Sequence, residues 1–472
     1  MTTKQFTVRR DVEYDAVVVG GGTTGIAAAL AAARNGARVA LVEQDGFLGG
    51  NSVALRGWLG FHGVDGQQVV GGIPMELIEA LQACGGATCF HQDPICGSAV
   101  GVDPNWWKIV AMQIVREAGI DIWLHSMAVG VDLETADTRQ AVRAIYLQGK
   151  DGLTRMAARS VIDCTDAGDI LRFAGVPLQR GRTSDNRVQV SSWVFSVNQV
   201  DFESLFDYFE ENLDDIRPFP LEDPRALLHQ MRNAEIFVMG AFSRLISQAR
   251  ADGMDLPRDN VPGLGLPIWG EVSVVASRVE SVDLNDTRNS SAAECAGTAQ
   301  AKLWLEFLRR YVPGFAQCRL GATPHRIGVR ETVHMEGHHL LTGDDLLSGR
   351  PFSDAIALGA YHLDIHSPDH GGLDTGRPPV YQIPYGSLLP KRVDGVIVAG
   401  RAISATQAAQ ASTRVIPISM AQGQAAGTAV ALASRRGCEL RGLPTAELQE
   451  QLRRDGALLP TNLAESPTLL VR

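Results

Sequence analysis

Three glycines and one glutamate near the N-terminus have the types and the spacing that suit an adenine dinucleotide. Gly20, Gly22 and Gly25 follow the pattern G-x-G-x-x-G directly after an apolar run. The first glycine of this pattern permits a tight turn, the second lets the backbone approach a pyrophosphate, and the third lets a helix pack on a strand. Glu43 follows the next apolar run, where a carboxylate can accept hydrogen bonds from ribose hydroxyls.

The segment AYHLDIH contains candidates for acid–base chemistry. Residues two apart on an extended segment point to the same face, so we expect His362, Asp364 and His366 to be aligned. The aspartate would then orient one imidazole, and His366 or His362 would serve as a general base. Surface histidines on a strand are the alternative interpretation. His62, in LGFHG, is a second candidate base, with a structural histidine as its alternative.

Arg330 and Glu331 are adjacent in GVRET and allow two interpretations. The guanidinium can bind a substrate carboxylate through two parallel hydrogen bonds. Equally, the two side chains can form an internal ion pair that fixes the turn. The sequence does not decide between them.

Buried strands and small-residue helices must position these side chains. A strand at residues 16–19, a helix at 26–35 and a strand at 38–42 predict a βαβ unit. Further strands are expected at 120–124 and, as a β-meander, at 128–133, 141–147 and 155–162. Beyond them we expect strands near 188–198 and 272–284, helices near 224–250 and 292–311, a buried strand that enters a turn within 394–406, and a small-residue helix at about 416–435.

Strands from distant segments can point their carboxyl ends at one crevice, where ligands of open α/β sheets bind. The predicted fold class is therefore α/β, with a discontinuous Rossmann-like nucleotide-binding domain, a β-meander and an inserted mixed α+β substrate domain. The expected boundaries are 1–174 for the first part of the nucleotide domain (glycine-rich insertion at 57–101), 175–385 for the substrate or cap domain, 386–440 for the C-terminal part and 441–472 for a tail.

The composition is globular and acidic. The 472 residues are 45% hydrophobic and 20% charged, and this length suits two or three domains. The net charge of −10 disfavours nucleic acid and anionic membranes as partners. No signal peptide or membrane-spanning run is visible, and the seven scattered cysteines are typical of reduced thiols, so we expect a cytoplasmic protein. A homo-oligomer is left open.

We expect no metal site in this chain. Two clusters of potential ligands match no zinc spacing well: Cys84, Cys89, His91 and Cys96, and the group His334, His338 and His339. The absence of a C-x-x-C pair argues against disulfide reductase chemistry.

Seven motifs span nearly the whole chain: VVVGGGTTGIAAA (17–29), VEQDGFLGGNS (42–52), VIDCTDAGDILRFAG (161–175), GVRETVHMEGHHLLT (328–342), SDAIALGAYHLDIH (353–366), IPYGSLLP (383–390) and VAGRAISATQAAQASTRVIPISMAQGQAAGTA (398–429). Together they resemble the bacterial FAD-dependent oxidoreductase family of the glutathione-reductase-like flavoprotein superfamily, whose members have two dinucleotide-binding domains. The resemblance implies FAD, bound non-covalently. Covalent attachment through His62 is the less favoured alternative.

The resemblance also implies which residues contact the cofactor: Gly20, Gly22, Thr24 and Gly25 at the pyrophosphate; Glu43 and Gln44 at the adenosine ribose; Gly49, Gly50, Asn51 and Ser52 towards the flavin; Gly400 and Arg401 at the pyrophosphate and ribityl chain; and Arg414 and Ile416 at a helix that points to the flavin O2. A positive helix end there would stabilise the anion of reduced flavin. Tyr385 would cover the flavin, bind substrate or only fill the core.

Two departures from the family pattern stand out. Cys164-Thr165-Asp166 replaces the more frequent Ala-Thr-Gly, which concerns the backbone path of that turn. Gln407 follows SAT where relatives often have histidine, so the substrate is expected to differ.

The implied activity is oxidation of a small polar organic substrate by hydride transfer to flavin N5. No second G-x-G-x-x-G with a strand and a helix around it is present, so oxygen, a quinone or a carrier is expected to take the electrons. The alternatives are reduction of an activated alkene and a non-catalytic FAD-binding or sensing protein.

Overall fold

The computed structural model describes residues 7–136, 139–217, 223–280, 283–369 and 373–469. Its N-terminal region contains the strands β1 (Val8–Val19), β2 (Val39–Val42), β3 (Gly57–Leu59), β4 (Ala87–Asp93), β5 (Gly97–Val102), β6 (Asp121–Trp123), β7 (Met127–Ala136), β8 (Arg139–Gly149) and β9 (Gly152–Asp163). Its helices are α1 (Thr23–Arg34), α2 (Ile73–Ala83), α3 (Pro104–Glu117) and α4 (Asp169–Phe173).

The middle region alternates short strands and helices. Its strands are β10 (Leu178–Arg180), β11 (Phe195–Asn198), β12 (Phe237–Ala241), β13 (Val261–Leu266), β14 (Glu271–Val274), β15 (Arg319–Leu320), β16 (Val333–Met335), β17 (Ala355–Gly359), β18 (Leu363–His366), β19 (Leu373–Gly376) and β20 (Tyr381–Pro384). Its helices are α5 (Phe202–Glu211), α6 (Pro224–Asn233), α7 (Ser243–Ala251), α8 (Thr287–Tyr311) and α9 (Gly343–Ser348).

The C-terminal region returns to the first sheet. It contains β21 (Val393–Asp394), β22 (Val396–Val398), α10 (Gln407–Thr413), α11 (Ile416–Arg436) and α12 (Thr445–Arg454). β22 pairs in parallel with the end of β9, and β21 pairs in parallel with β8.

The central sheet is built on parallel strands. β1 pairs with β2 and β9, and β2 pairs with β6, all in parallel. β7, β8 and the first half of β9 form an antiparallel meander. The expected α/β fold with a parallel sheet is therefore confirmed. The carboxyl ends of β1, β2, β9 and β22 lie at one edge, and the glycine-rich turn lies at that edge.

Helices α1 and α11 pack against each other at very short range. A Cβ atom on Gly423 would lie 2.2 Å from the carbonyl oxygen of Thr24, and one on Gly427 would lie 2.0 Å from that of Ala28. Glycines four apart lie on one helix face. The small residues of both helices therefore permit close packing. Because Gly423 faces the start of α1, α11 extends about two turns beyond the N-terminus of α1.

The middle region contains a separate antiparallel sheet of order β12-β13-β14-β11-β15, and an aromatic core supports it. The helical stretch expected near 224–250 is divided in two, because β12 separates α6 from α7. The reason is local: α6 ends at Asn233, and the apolar residues of β12 are buried in the sheet beside β13. Burial in the sheet therefore overrides the helix propensity of this segment.

The described residues contain neither a membrane-spanning helix nor a cluster of metal ligands. No helix there combines the length and the hydropathy that crossing a membrane needs. No three His, Cys, Asp or Glu side chains there are grouped so that they could hold a metal ion.

Candidate cofactor and active site

The glycine-rich turn between β1 and α1 forms a cradle that is open on one side. A Cβ atom on Gly20, whose φ is +103°, would lie 2.3 Å from the carbonyl oxygen of Cys164. One on Gly25 would lie 1.8 Å from the carbonyl oxygen of Gly20, so close contact of helix and turn requires this glycine. At Gly22, no described atom lies within 4 Å of the Cβ position. This open space adjoins the N-terminus of α1, which suits a phosphate group.

Glu43 lies directly after β2 and binds the backbone of the same edge. Its Oε2 accepts a hydrogen bond from the N–H of Gly21 at 2.7 Å, and its Oε1 accepts one from the N–H of Asp45 at 2.9 Å. The residue is buried. Each carboxylate oxygen can accept a second hydrogen bond, so the carboxylate is held in place with acceptor capacity for ribose hydroxyls. Gln44 is exposed.

A second loop packs directly on the glycine-rich turn. The N–H of Gly49 donates to the carbonyl oxygen of Gly21 at 2.8 Å. A Cβ atom on Gly50, whose φ is +55°, would lie 3.0 Å from the Cα of Gly22. The two loops are therefore in backbone contact beside the open space.

The next two residues of this loop are held from both sides. Asn51 Nδ2 donates to the carbonyl oxygen of Ile327 at 3.1 Å, and Trp107 Nε1 donates to Ser52 Oγ at 2.9 Å. Asn51 Oδ1 is buried without a hydrogen-bond partner among the described residues. A buried amide oxygen without a donor indicates that a ligand supplies one.

The turn after β9 keeps a glycine-like backbone although it lacks the family's glycine. Asp166 has φ +65°, a conformation that aspartate tolerates better than most residues. Its Oδ2 accepts a hydrogen bond from Arg401 Nη2 at 2.7 Å, and Arg401 also binds the carbonyl oxygen of Val329. The Arg401 guanidinium thus binds two groups of the protein, and its contact with the pyrophosphate and ribityl chain stays a prediction.

The C-terminal segment brings two further elements to the same edge. The N–H of Gly400 donates to Gln422 Oε1 at 3.0 Å, and a Cβ atom on Gly400 would lie 3.5 Å from Thr24 Oγ1. Helix α11 begins at Ile416, and no side chain caps its N-terminus. Its first N–H groups are therefore free to meet a negatively charged group.

Asp364 and His366 form a buried pair, as their spacing on β18 predicts. His366 Nε2 lies 3.3 Å from Asp364 Oδ1, and Arg414 Nη2 donates to Asp364 Oδ2 at 2.9 Å. His366 is 7% exposed, and its Nδ1 has no partner among the described residues. The surface-histidine alternative is therefore wrong for His366 and equally for His362, which is also 7% exposed.

Burial and neighbouring charges set the protonation of this pair. Burial, followed by the charge of Arg330, lowers the pKa of His366 to about 3. Burial alone would raise the pKa of Asp364, but His366 and Arg414 hold it well below its usual range. At neutral pH the imidazole is neutral. With its Nε2–H directed at the carboxylate, Nδ1 is an acceptor.

Arg330 and Glu331 do not pair with each other, so the ion-pair alternative is wrong. Arg330 Nη1 donates to the carbonyl oxygen of Val190 and to Ser192 Oγ, each at 2.8 Å. Glu331 Oε1 binds His334 Nε2 at 2.7 Å instead. Each of the two side chains is buried against a different segment of the chain, so they do not meet.

Gln407 is a hydrogen-bond donor to Glu331. Its Nε2 donates to Glu331 Oε2 at 2.6 Å and to the carbonyl oxygen of Arg187 at 3.1 Å. The same carboxylate oxygen also accepts the N–H of Gln189 at 2.8 Å. At this position the glutamine therefore holds the core in place and supplies no acid or base.

A short segment connects the cofactor loops to the buried pair. The carbonyl oxygen of Ile327 binds Asn51, and that of Val329 binds Arg401. Arg330 is the next residue, and its positive charge lowers the pKa of His366. The cluster of buried charges therefore lies beside the edge where the glycine loops meet.

The family to which these features point can be named from the sequence as a whole. A family model described as FAD dependent oxidoreductase matches residues 15–452. This chain belongs to that family. FAD is accordingly its cofactor, and the open space at Gly22, the free N-terminus of α11 and the unpaired Asn51 oxygen all fit such a ligand.

Solved structures offer distant neighbours of this family member. A geranylgeranyl bacteriochlorophyll reductase-like protein from Thermoplasma acidophilum is 14% identical, with 94% of this chain and 84% of that chain covered and a TM-score of 0.46. A p-nitrophenol 4-monooxygenase from Pseudomonas putida is 13% identical, with coverages of 93% and 84% and a TM-score of 0.43. Neither structure bears on the substrate. None of the curated proteins matched this chain in a sequence comparison.

Two other predicted residues take positions in the core of this oxidoreductase. Tyr385 is 3% exposed, and its hydroxyl donates to the carbonyl oxygen of Leu440 at 3.0 Å, which matches the packing alternative. His62 is 5% exposed, and its Nδ1 lies 3.0 Å from Ser98 Oγ. Burial lowers the pKa of His62 to about 4.

Two arginines of the site were not predicted from the sequence. Arg258 lies between α7 and β13 at 2% exposure, and its Nε and Nη1 have no partner among the described residues. Arg278 Nη2 donates to the carbonyl oxygen of Ser367 at 2.8 Å, and its Nη1 is buried and unpaired in the same sense. Neither residue lies in a motif, so no local signal distinguishes them from surface arginines.

The potential metal ligands are engaged separately. Cys84 donates to the carbonyl oxygen of Leu81 and His91 accepts the N–H of Glu235, while Cys89 is exposed. All seven cysteines are free.

Proposed function

We propose that this chain oxidises a small polar organic substrate by hydride transfer, with His366 as the base. The observation that carries this proposal is the buried Asp364–His366 pair, whose unpaired Nδ1 lies in the cluster beside the cofactor loops. Bound FAD supplies a two-electron acceptor at its N5 atom. A dehydrogenase or oxidase of the glutathione-reductase-like superfamily is the type that these features support best.

The chain's own residues supply the proton chemistry. The substrate loses a hydride from carbon and a proton from a hydroxyl or an amine, so its carbon is oxidised by two electrons. The proton goes to His366 Nδ1. Asp364, at 3.3 Å, favours the resulting imidazolium, against the burial and the Arg330 charge that lower the pKa of His366. Arg414 holds the aspartate from its other side.

The electrons leave to oxygen, a quinone or a carrier. Two alternatives remain to be tested beside this proposal: reduction of an activated alkene, which is the same transfer reversed, and a sensing role without turnover. The buried pair favours catalysis, because its unpaired Nδ1 is available to a substrate.

The first measurement is the release of FAD on acid precipitation, since flavin retained in the pellet would indicate covalent attachment at His62. Alcohols, amines and hydroxy acids are then mixed anaerobically with the holoprotein, and bleaching of the flavin is followed. We expect His366→Gln to slow bleaching by about 10²–10⁴-fold at unchanged FAD content, as loss of a general base does.

The exposed His338 offers a matched control. His338→Gln is expected to bleach at the wild-type rate. Equal rates for His366→Gln and wild type would refute the base assignment. If no donor bleaches the flavin but an activated alkene reoxidises the dithionite-reduced protein, the reaction is a reduction. If neither occurs, the sensing role is favoured.

A further inference from the structure

We propose that Arg258 and Arg278 bind the carboxylate of an organic-acid substrate next to His366. This inference rests on the proposed function and names the substrate class of that site. Its basis is a set of buried guanidinium nitrogens that have no hydrogen-bond partner among the described residues.

Arg258 is the clearest of these groups. It is 2% exposed, and both Nε and Nη1 lack a hydrogen-bond partner among the described residues. Buried charges in proteins are normally paired, and unpaired ones indicate a function or a missing ligand. Burial, followed by the charge of Arg278, lowers the pKa of Arg258 to about 10, so the arginine still carries its charge at neutral pH. The two unpaired nitrogens, Nε and Nη1, lie on different sides of the guanidinium, so each offers a separate N–H to an anion.

Arg278 comes from another segment, and its charge acts on Arg258. Its Nη2 donates to the carbonyl oxygen of Ser367, the residue after His366, at 2.8 Å, and its Nη1 is buried and unpaired. The N–H of Arg278 donates to Gln300 Oε1 at 2.6 Å, so α8 holds its backbone. These two contacts position the free nitrogen, which has no hydrogen-bond partner among the described residues.

The cluster contains more positive than negative charge. Arg258, Arg278, Arg330 and Arg414 act on one another, and Asp364 is the carboxylate that contacts one of them directly within the cluster. The other acidic groups that act on these arginines, Asp259 and Glu280, are exposed, and Asp259 pairs with Arg250.

An organic anion would complete this arrangement. Its carboxylate would accept from Arg258 and Arg278, while the carbon that loses hydride would lie beside His366 Nδ1. A planar carboxylate matches the paired nitrogens of a guanidinium, which also bind phosphate, so both anions enter the test.

The test measures binding without turnover. Redox-inert acetate, and separately inorganic phosphate, are titrated into the FAD-saturated holoprotein, and binding is followed by calorimetry and by the visible spectrum of the flavin. We expect carboxylates to bind. Arg258→Met is expected to weaken their binding by at least about 30-fold, as loss of one partner of a buried charge pair does. Arg278→Gln is expected to act in the same direction.

A second readout separates recognition from structure. Because Arg258→Met replaces an unpaired buried charge by an apolar side chain of similar length, we expect the melting temperature of the ligand-free holoprotein to rise or stay unchanged. A structural arginine would lower it. Arg244→Gln, on the surface of α7, is the matched control and is expected to change neither binding nor melting.

The outcomes are distinct for the two proposals. Phosphate binding without carboxylate binding, unchanged carboxylate affinity in Arg258→Met, or loss of FAD with the substitution would each overturn the carboxylate site. Carboxylate binding that Arg258→Met abolishes would support it even if no organic acid reduces the flavin, and in that case the proposed oxidation alone would fail.

Discussion

Gly22 and Gly25 show how two glycines of one motif serve different purposes. Gly25 is needed by the protein itself, because a Cβ atom there would lie 1.8 Å from the carbonyl oxygen of Gly20. Gly22 has φ −68° and ψ −179°, a conformation that any residue adopts, and its side-chain position is open. The protein tolerates a methyl group at Gly22, whereas a bound pyrophosphate would not.

Alanine at each position tests this difference. Gly22→Ala is expected to leave the unfolding free energy of the apoprotein at the wild-type value. It is expected to weaken FAD binding by at least about tenfold, or about 1.4 kcal/mol. Gly25→Ala is expected to lower the unfolding free energy by about 1–3 kcal/mol or more, since overpacking forces the backbone to move. Urea unfolding and FAD titration measure the two effects. Unchanged FAD affinity in Gly22→Ala would place the pyrophosphate elsewhere.

At the scale of elements, the close contact between α1 and α11 fixes the position of one helix relative to the other. Gly423 and Gly427 in α11 face carbonyl oxygens of α1 at distances that exclude a Cβ atom. Glycine inside a helix normally costs about 0.5–1 kcal/mol relative to alanine. The close approach of the helices therefore outweighs helix propensity here.

Gly427→Ala is expected to destabilise the protein by about 1–3 kcal/mol, against the direction that helix propensity predicts. It should also weaken FAD binding, since α1 must shift. Gly442→Ala is the control, because no described atom lies within 4 Å of its Cβ position. Thermal unfolding of the two variants checks this, and a more stable Gly427→Ala protein would mean that the helices are separated more widely than described.

At the scale of the whole molecule, buried titratable groups link stability to pH. The folded pKa values of His62 and His366 are about 4 and about 3, below the ordinary 6.5. Between pH 6.5 and 4 the unfolded chain binds protons at these histidines and the folded chain does not, so stability falls as the pH falls. Asp163 opposes this trend, because burial raises its folded pKa to about 6.

The unfolding free energy of the FAD-saturated protein is therefore expected to decrease from pH 6.5 to pH 4.5. One proton changes this energy by about 1.4 kcal/mol per pH unit. His62→Gln should make the dependence shallower by up to that amount, and Asp163→Asn should make it steeper between pH 6 and 4. Urea unfolding at several pH values measures the slopes. A His62→Gln slope equal to that of wild type would refute the lowered pKa.

The sequence by itself determined the features that depend on neighbouring residues. The glycine turn, the strands around it, Glu43 and the Asp364–His366 pair follow from spacing, because a turn and an extended strand fix the relative positions of residues close in the chain. The membership in the FAD dependent oxidoreductase family follows from motifs along the chain.

Only the tertiary structure decided the partners of the buried charges. Arg330 binds Val190, which is 140 residues away, and not its neighbour Glu331. Arg258 and Arg278 lie in no motif. The burial of Arg258 and the contact of Arg278 with Ser367 result from the tertiary packing of the middle region. The physical reason is that long-range contacts are selected by burial and hydrogen-bond satisfaction across segments, which residue spacing does not encode.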